Sequence, residues 1–318
     1  MTSTALESVI VYFENKFVPL RDARVGILTH ALHYGTGVFE GIRGYWDDEN
    51  DELFLMRPFD HYARWIANGQ ILRIAVPHTP AQLCDLTLEL IRRNNFHENL
   101  YIRPLAYKSA QRIKVHPDDA NAFAIVALPF GEYLNSENGI HAGVVSWRRI
   151  EDDAIPGRAK ICGAYVNSVL AGDEARRNGF DEAIFLTESG HVAEGAACNI
   201  FLVRDKKLIT PAVTENILEG ITRASVMEMA ARELKLEVLE RRVDRSELYM
   251  CDELFFTGTA VEIAPVTRVD HRTIGSGQVG AITRELRRLY VEATRGRLAA
   301  YRHWAMPAHR ASAAATAG

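Results

Sequence analysis

Two periods of apolar spacing alternate along the 318-residue chain, and each switch between them marks an element. VIVYF and KFVPL are strand-like runs separated by Glu14 and Asn15, which tolerate turn geometry, so the chain opens on a hairpin and a β-rich beginning. From Pro58, PFDHYARWIANGQIL spaces Phe59, Tyr62, Ile66 and Ile71 at roughly helical intervals, with proline acceptable in the first turn. PAQLCDLTLELIRRNNF puts Leu83, Leu86, Leu90 and Ile91 on one face of a second helix, and strand-like LYIRPLAY and FAIVALP follow, ending an α/β unit near residue 130. The polar segment GEYLNSENG, Gly131 to Gly139, is the expected interdomain connection, with a boundary near residue 136 and domains over 1–136 and 137–318. Beyond it the pattern predicts strand GVVSW, helix YVNSVLAGDEARRNG, strand EAIFLT, a hairpin through Glu188 to His191 and strand NIFLV. Helix TRASVMEMAAREL, strands EVLERRV and ELFFT, and a C-terminal helix near AITRELRRLYVEAT complete a second α/β domain. The tail from about 308 to 318, rich in small residues, is expected to be disordered, and there is no internal repeat.

Composition narrows the classes without adding a site. A content of 47% hydrophobic and 25% charged residues suits an ordinary globular chain. The net charge of -4 gives no electrostatic case for a nucleic-acid partner. Cys84, Cys162, Cys198 and Cys251 are scattered, with no CxxC pair and no metal-ligand spacing, so neither a disulfide framework nor a metal is expected. No apolar run approaches the roughly 20 residues of a membrane helix, and the start carries Glu7 and Glu14 in place of a basic leader. A reduced, cytoplasmic setting with no membrane partner is the expectation.

Four short stretches could carry chemistry. Lys160, in IPGRAKICGAYVN, has Ala159, Ile161, Cys162, Gly163 and Ala164 as small or apolar neighbours; a desolvated lysine loses proton affinity, as a carbonyl-attacking amine requires. Taken alone, a lysine at a strand end is ordinarily a solvated loop residue. Glu194, in GHVAEGAACNIFLV, lies among Ala193, Gly195, Ala196 and Ala197, which let another group approach, although a surface-turn glutamate would look the same. Gly220, Ile221 and Thr222 precede a helix expected to run from Arg223, where unpaired N–H groups and the helix dipole suit a phosphate, or where Thr222 simply caps the helix. Gly258-Thr259-Ala260 forms a turn after ELFF that offers hydroxyl and N–H donors.

Their joint order changes the reading. From Glu194 through Ala196, Asn199-Ile200-Phe201, Leu208, Thr210, Leu218, Gly220, Ile221 and Arg223, the chain resembles the signature of fold-type-IV pyridoxal-phosphate enzymes. HALHYGTGVFEGIRGY, residues 30 to 45, and LYIRPLAY are similar to branched-chain amino-acid aminotransferases in particular, and the resemblance runs from about Val9 to about Ala308. It implies an α/β (α+β) two-domain enzyme with a small N-terminal α/β domain and a larger C-terminal pseudo-barrel domain. It implies pyridoxal 5'-phosphate held as a Schiff base by Lys160, with Tyr165 at the phenolic oxygen, Glu194 at the pyridinium nitrogen, and Arg64, Gly220, Ile221, Thr222 and Thr259 around the phosphate. For the substrate it implies a pocket of Tyr34, Phe39, Gly41, Tyr101, Phe130 and Tyr133. Tyr101 and the backbone of Thr259 and Ala260 would take the α-carboxylate and Arg103 a distal carboxylate, while Arg43 orients the wall. The implied reaction is ping-pong transamination between L-branched-chain amino acids and 2-oxoglutarate in a homodimer, sometimes a hexamer.

One stretch departs from the pattern. QRIKVHP, residues 111 to 117, puts Arg112 and Lys114 where relatives carry a glycine-rich loop that helps close the pocket, which leaves the substrate open. The rivals are a D-amino-acid or (R)-amine transaminase, an aminodeoxychorismate lyase, and a catalytically silent scaffold.

Overall fold

A computed structural model describes residues 3–131, 134 and 136–309. By its internal contacts the chain divides into two units: unit 1 takes 1–131, 160–163 and 292–318, and unit 2 takes 132–159 and 164–291.

Unit 1 begins with helix α1 (Ser3–Ser8) and the expected hairpin of β1 (Ile10–Phe13) and β2 (Lys16–Pro19). Glu14 and Asn15 make its turn at φ 47° and 67°, the left-handed conformation that a two-residue hairpin demands. Helix α2 (His30–Tyr34) then leads into β3 (Gly37–Phe39), β4 (Ile42–Asp47) and β5 (Glu52–Met56). Helices α3 (Pro58–Ile71) and α4 (Pro80–Asn94) follow, then the long strands β6 (Leu100–Lys108) and β7 (Asn121–Pro129). Both helices start on proline, and Thr79 caps α4 in a reciprocal capping box with Gln82. The face that α3 buries differs from the expected one: Tyr62 and Trp65 go inside with His61 and Asn68, while Phe59 and Ile71 stay exposed.

Unit 2 opens with β8 (Ile140–Arg148), helix α5 (Tyr165–Arg177) and β9 (Glu182–Leu186). Strands β10 (Val192–Gly195), β11 (Asn199–Arg204) and β12 (Lys207–Thr210) come next, then helix α6 (Ile221–Arg232). The remaining strands are β13 (Glu237–Glu240), β14 (Glu253–Gly258), β15 (Glu262–Val269) and β16 (Arg272–Thr273), and helix α7 (Ala281–Thr294) follows them. The sheet order is β10-β9-β8-β15-β14-β11-β12-β13, with β16 on β15. Its two ends meet: His191 bridges Asp244, and the Val192 N–H donates to Val243 O at 2.8 Å just beyond β13, so the sheet curls toward the expected pseudo-barrel. Inside lie Ile184, Ile200, Leu202, Leu254, Phe256 and Val266, side chains of alternate positions on neighbouring strands.

The sheet of unit 1 runs β17-β5-β4-β6-β7-β1-β2, with β3 on β6, where β17 is Ala305–Pro307. That last strand brings the end of the chain into unit 1, where the expectation had a single division near residue 136. Residues from 292 onward return to unit 1, where Ala305 pairs with Met56 and the Ala308 N–H donates to Leu53 O at 2.8 Å. A local reading of hydrophobic periods cannot foresee a strand that joins a sheet built from the far end of the chain. The same contacts order the first two residues of the expected tail. Ala308 is fully buried and the His309 N–H donates to Glu52 Oε1 at 2.8 Å, while 310–318 lie outside the described residues. Strand β15 also escapes the sequence reading, since Pro265 interrupts its run. No helix among the described residues is long and apolar enough to cross a membrane, and no group of three or more metal-ligating side chains is present among them.

Candidate active site

In unit 1 the candidate lysine is held by backbone. Lys160 lies well past the end of β8, where the chain runs beside β3: Phe39 N–H donates to Lys160 O at 3.1 Å and Ile161 bridges Val38. In the amide orientation that satisfies both of its atoms, Asn68 of α3 accepts from the Lys160 N–H and donates to Arg64 O, each at 3.2 Å. Ala159 and Ile161 are buried on either side of the half-buried lysine. Its Nζ stands 5.5 Å from the centre of the Phe39 ring, and the Arg103 guanidinium stands 4.5 Å from the same ring. Lys160 and Arg103 thus approach the same aromatic ring, and the guanidinium on it suits a carboxylate ligand.

The wall around that ring is aromatic and tightly set. Tyr101 and Phe130 lie 5.0 Å apart, Arg43 stacks 4.8 Å over Phe130, and its Nη2 donates to Gly131 O at 3.2 Å. Arg103 Nη2 donates to the Tyr101 hydroxyl at 3.2 Å. Gly41 leaves room for the Tyr101 ring, because a Cβ on it would come within 1.9 Å of the hydroxyl and would displace it. Tyr34 is exposed, at 4.6 Å from the His30 ring, and Tyr133 lies outside the described residues.

Arg64 is engaged by a buried carboxylate. Its Nε donates to Glu40 Oε1 at 2.6 Å and its Nη2 to Glu40 Oε2 at 2.8 Å, a two-bond fork, while His61 Nδ1 lies 2.8 Å from Oε2. Burial by itself would raise the Glu40 carboxyl, but the Arg64 charge and the His61 hydrogen bond outweigh it and hold the carboxyl well below the usual range. Burial lowers the His61 imidazole.

In unit 2 a second carboxylate is clamped. Glu194 sits where β10 bulges against β9, since Val192 pairs with Leu186 and Gly195 with Ile184, leaving an extra residue between. Its Oε1 pairs with Arg149 Nη2 at 2.9 Å, and its Oε2 accepts from Asn199 Nδ2 at 2.9 Å and from the Leu218 N–H at 3.1 Å. Asn199 also donates to Leu218 O at 2.8 Å. Gly220 makes room for this knot, because a Cβ on it would lie 2.1 Å from Asn199 Oδ1. Helix α6 starts at Ile221, not at Arg223, so Gly220 is its N-cap and no side chain caps it. Thr222 therefore stands inside the first turn, buried, with its hydroxyl 3.5 Å from that of Tyr290. Thr259 and Ala260 form the half-buried turn between β14 and β15. Tyr165 opens α5.

The model of the family described as amino-transferase class IV matches residues 37–269. The chain belongs to this family. Within it, a probable branched-chain-amino-acid aminotransferase of Aquifex aeolicus is 44% identical over 301 residues, covering 94% of this chain and 96% of the relative. The branched-chain-amino-acid aminotransferase of Escherichia coli K12 is 38% identical over 90% of this chain and 93% of its own. Among solved structures, the branched-chain aminotransferase of Thermoproteus uzoniensis with norvaline superposes with a TM-score of 0.91 at 41% identity, covering 95% of this chain and all of that one. The branched-chain amino acid aminotransferase of Thermobaculum terrenum in its PLP-form also gives 0.91, at 38% identity, covering 96% of this chain and all of that one.

The side chains of this class IV aminotransferase fit pyridoxal phosphate. Each unit, taken by itself, holds groups of that chemistry: unit 1 has an amine and an arginine, and unit 2 has a clamped carboxylate and a twelve-residue helix whose first-turn N–H groups have no side-chain cap. Thr257, paired with Asn199 in the ladder, adds a fully buried hydroxyl with no hydrogen-bond partner among the described residues. Sequence reasoning missed Glu40 and Arg149. Both are legible afterwards, in FEG just past β3 and in SWRR just past β8, yet a lone acid or arginine at a strand end carries no sign of its partner.

Proposed function

We propose that this enzyme is a branched-chain amino-acid aminotransferase that passes the amino group of leucine, isoleucine or valine to 2-oxoglutarate in two half-reactions, with pyridoxal 5'-phosphate as cofactor, in the cytoplasm. When bound, the cofactor's protonated ring withdraws the negative charge that develops at the substrate's α-carbon. Lys160 Nζ would bind the cofactor's aldehyde carbon and, once the substrate's amino group displaces it, would move the substrate's α-proton to that same cofactor carbon. Glu194 would pair with the pyridinium nitrogen, and its clamp of Arg149, Asn199 and the Leu218 N–H holds the carboxylate in one place. Tyr165 would donate to the phenolic oxygen. Arg64, Gly220, Ile221, Thr222 and Thr259 would hold the phosphate, and within unit 1 Glu40 fixes the Arg64 fork.

The observation that carries the substrate reading is the Phe39 ring with Lys160 and Arg103 over it, beside Tyr101 and Phe130. Aromatic faces accept aliphatic side chains, and one guanidinium on the wall accepts the distal carboxylate of glutamate. The family resemblance assigns Tyr34, Gly41, Arg43 and Tyr133 to the substrate as well, and Tyr101 and the backbone of Thr259 and Ala260 to its α-carboxylate. The test is a panel: amination of 2-oxoisocaproate by L-glutamate is expected, abolished in Lys160→Ala. Turnover only of pyruvate with D-alanine or an (R)-amine would overturn the substrate, and normal turnover by Lys160→Ala would overturn the role of the lysine.

The enzyme works as a homodimer. Two strips of unit 1 run together, with the Arg112 N–H donating to Leu28 O at 3.0 Å, and they expose Ile27 (76%), Ile113 (71%) and Val115 (72%) side by side. Apolar surface of that kind marks a protein contact, and the QRIKVHP stretch supplies half of it. Sedimentation should give a dimer that Ile27→Glu with Val115→Glu splits into monomers; an unchanged dimer would place the interface elsewhere.

A further inference from the structure

We propose that Glu182 is a positioning residue that holds the turn carrying Glu194, an inference that rests on the proposed role of Glu194 at the cofactor. Glu182 begins β9 and is buried at 8% exposure. Its Oε1 accepts from its neighbour's Ala183 N–H at 2.9 Å and, across the sheet, from the Ala196 N–H at 3.1 Å. The second bond falls where the backbone ladder gives out. Gly195 pairs with Ile184, and then the Gly195 N–H turns to Cys198 O at 2.7 Å as the chain reverses into β11. Ala196 therefore leaves the strand with a half-buried N–H that no carbonyl of β9 meets, and the Glu182 side chain supplies the missing acceptor.

That turn sets the distance between two functional side chains. Glu194 stands just before it and Asn199 just after it, and their 2.9 Å hydrogen bond closes the loop. A turn loosened at Ala196 would let the bulge that aims Glu194 relax back toward regular pairing. Burial raises the Glu182 carboxyl, and the two N–H bonds oppose that rise. What the turn requires is an acceptor oxygen at this spot, so a neutral amide of the same length can replace the carboxylate.

The experiment compares Glu182→Gln, which keeps the acceptor, with Glu182→Met, which keeps the length and loses it. Hydrogen exchange at the Ala196 amide is read on the apo-protein, and pyridoxal phosphate affinity is read by absorbance titration, with the pH dependence of the bound cofactor's absorbance alongside. In the Met variant we expect Ala196 exchange and the cofactor dissociation constant each to rise at least tenfold, and that pH dependence to move. The Gln variant should stay within about threefold of wild type. Wild-type exchange and affinity in a folded Met variant would overturn the proposal, as would equal losses in Gln and Met. Should the Met variant not fold, Glu182→Asp, one methylene too short to reach Ala196, is held to the same criteria. Exchange at Ala196 needs no cofactor, so a wild-type protein that takes up no pyridoxal phosphate would sink the proposed function while leaving this comparison to be decided by itself.

Discussion

Removing Arg149 is the sharpest probe of the clamp on Glu194. The pair is 2.9 Å long, with 10% of the arginine side chain and 7% of the glutamate side chain exposed. At that separation and an effective dielectric of about 20 the attraction is about 6 kcal/mol, which desolvation of both groups largely offsets. Deleting one partner restores none of that desolvation for the other, and such deletions cost about 3–5 kcal/mol. Glu194 keeps Asn199 Nδ2 and the Leu218 N–H, while the Arg149 Nε bond to Asn216 O at 3.1 Å is lost. We therefore expect Arg149→Met to destabilise the apo-protein by about 3 kcal/mol in urea denaturation, and Arg149→Lys, which keeps the charge but not the fork, by about 1 kcal/mol. Combined with Glu194→Gln in a double-mutant cycle, the coupling should reach about 2 kcal/mol. A Met variant within about 0.5 kcal/mol of wild type, the range of ordinary surface substitutions, would refute the clamp as described.

Other perturbations test other parts. Gly41→Ala drives a Cβ to 1.9 Å from the Tyr101 hydroxyl, and since that ring must shift, KM for the amino donor should rise at least tenfold while the cofactor spectrum stays as in wild type. Gly220→Ala meets Asn199 Oδ1 at 2.1 Å and should weaken pyridoxal phosphate binding by about tenfold, the equivalent of one hydrogen bond to a charged group; equilibrium titration reads it, and unchanged affinity would count against the knot. Acidification should destabilise the apo-protein in two stages. His61 has a lowered folded pKa, so below its ordinary value of 6.5 the unfolded chain binds a proton that the folded one refuses, and stability falls with pH. Glu40 has a lowered folded pKa as well, so its contribution is complete above its ordinary 4.5 and is lost below it. His61→Gln should flatten the first stage in denaturation series run at successive pH values, and a first stage of unchanged slope would assign it to another group.

The sequence by itself determined the local elements and the chemistry that spacing encodes. The hairpin at Glu14-Asn15, the proline-led helices and the strands with clear alternation follow from short-range sterics and periodicity, which act within a few residues. The order of Glu194, Asn199, Gly220 and Ile221 was legible as a signature, though its cause was not. Only the tertiary structure shows that Gly220 is bare because Asn199 leans on it, and that Asn199 is there to hold Glu194. Tertiary structure also decided which unit receives the C-terminal strand, that Lys160 runs beside β3, and that Glu40 and Arg149 are partners of Arg64 and Glu194. These are contacts between residues tens to hundreds of positions apart. Their energy depends on distance in space and on exclusion of water, and neither quantity is written in the spacing of residues along one segment.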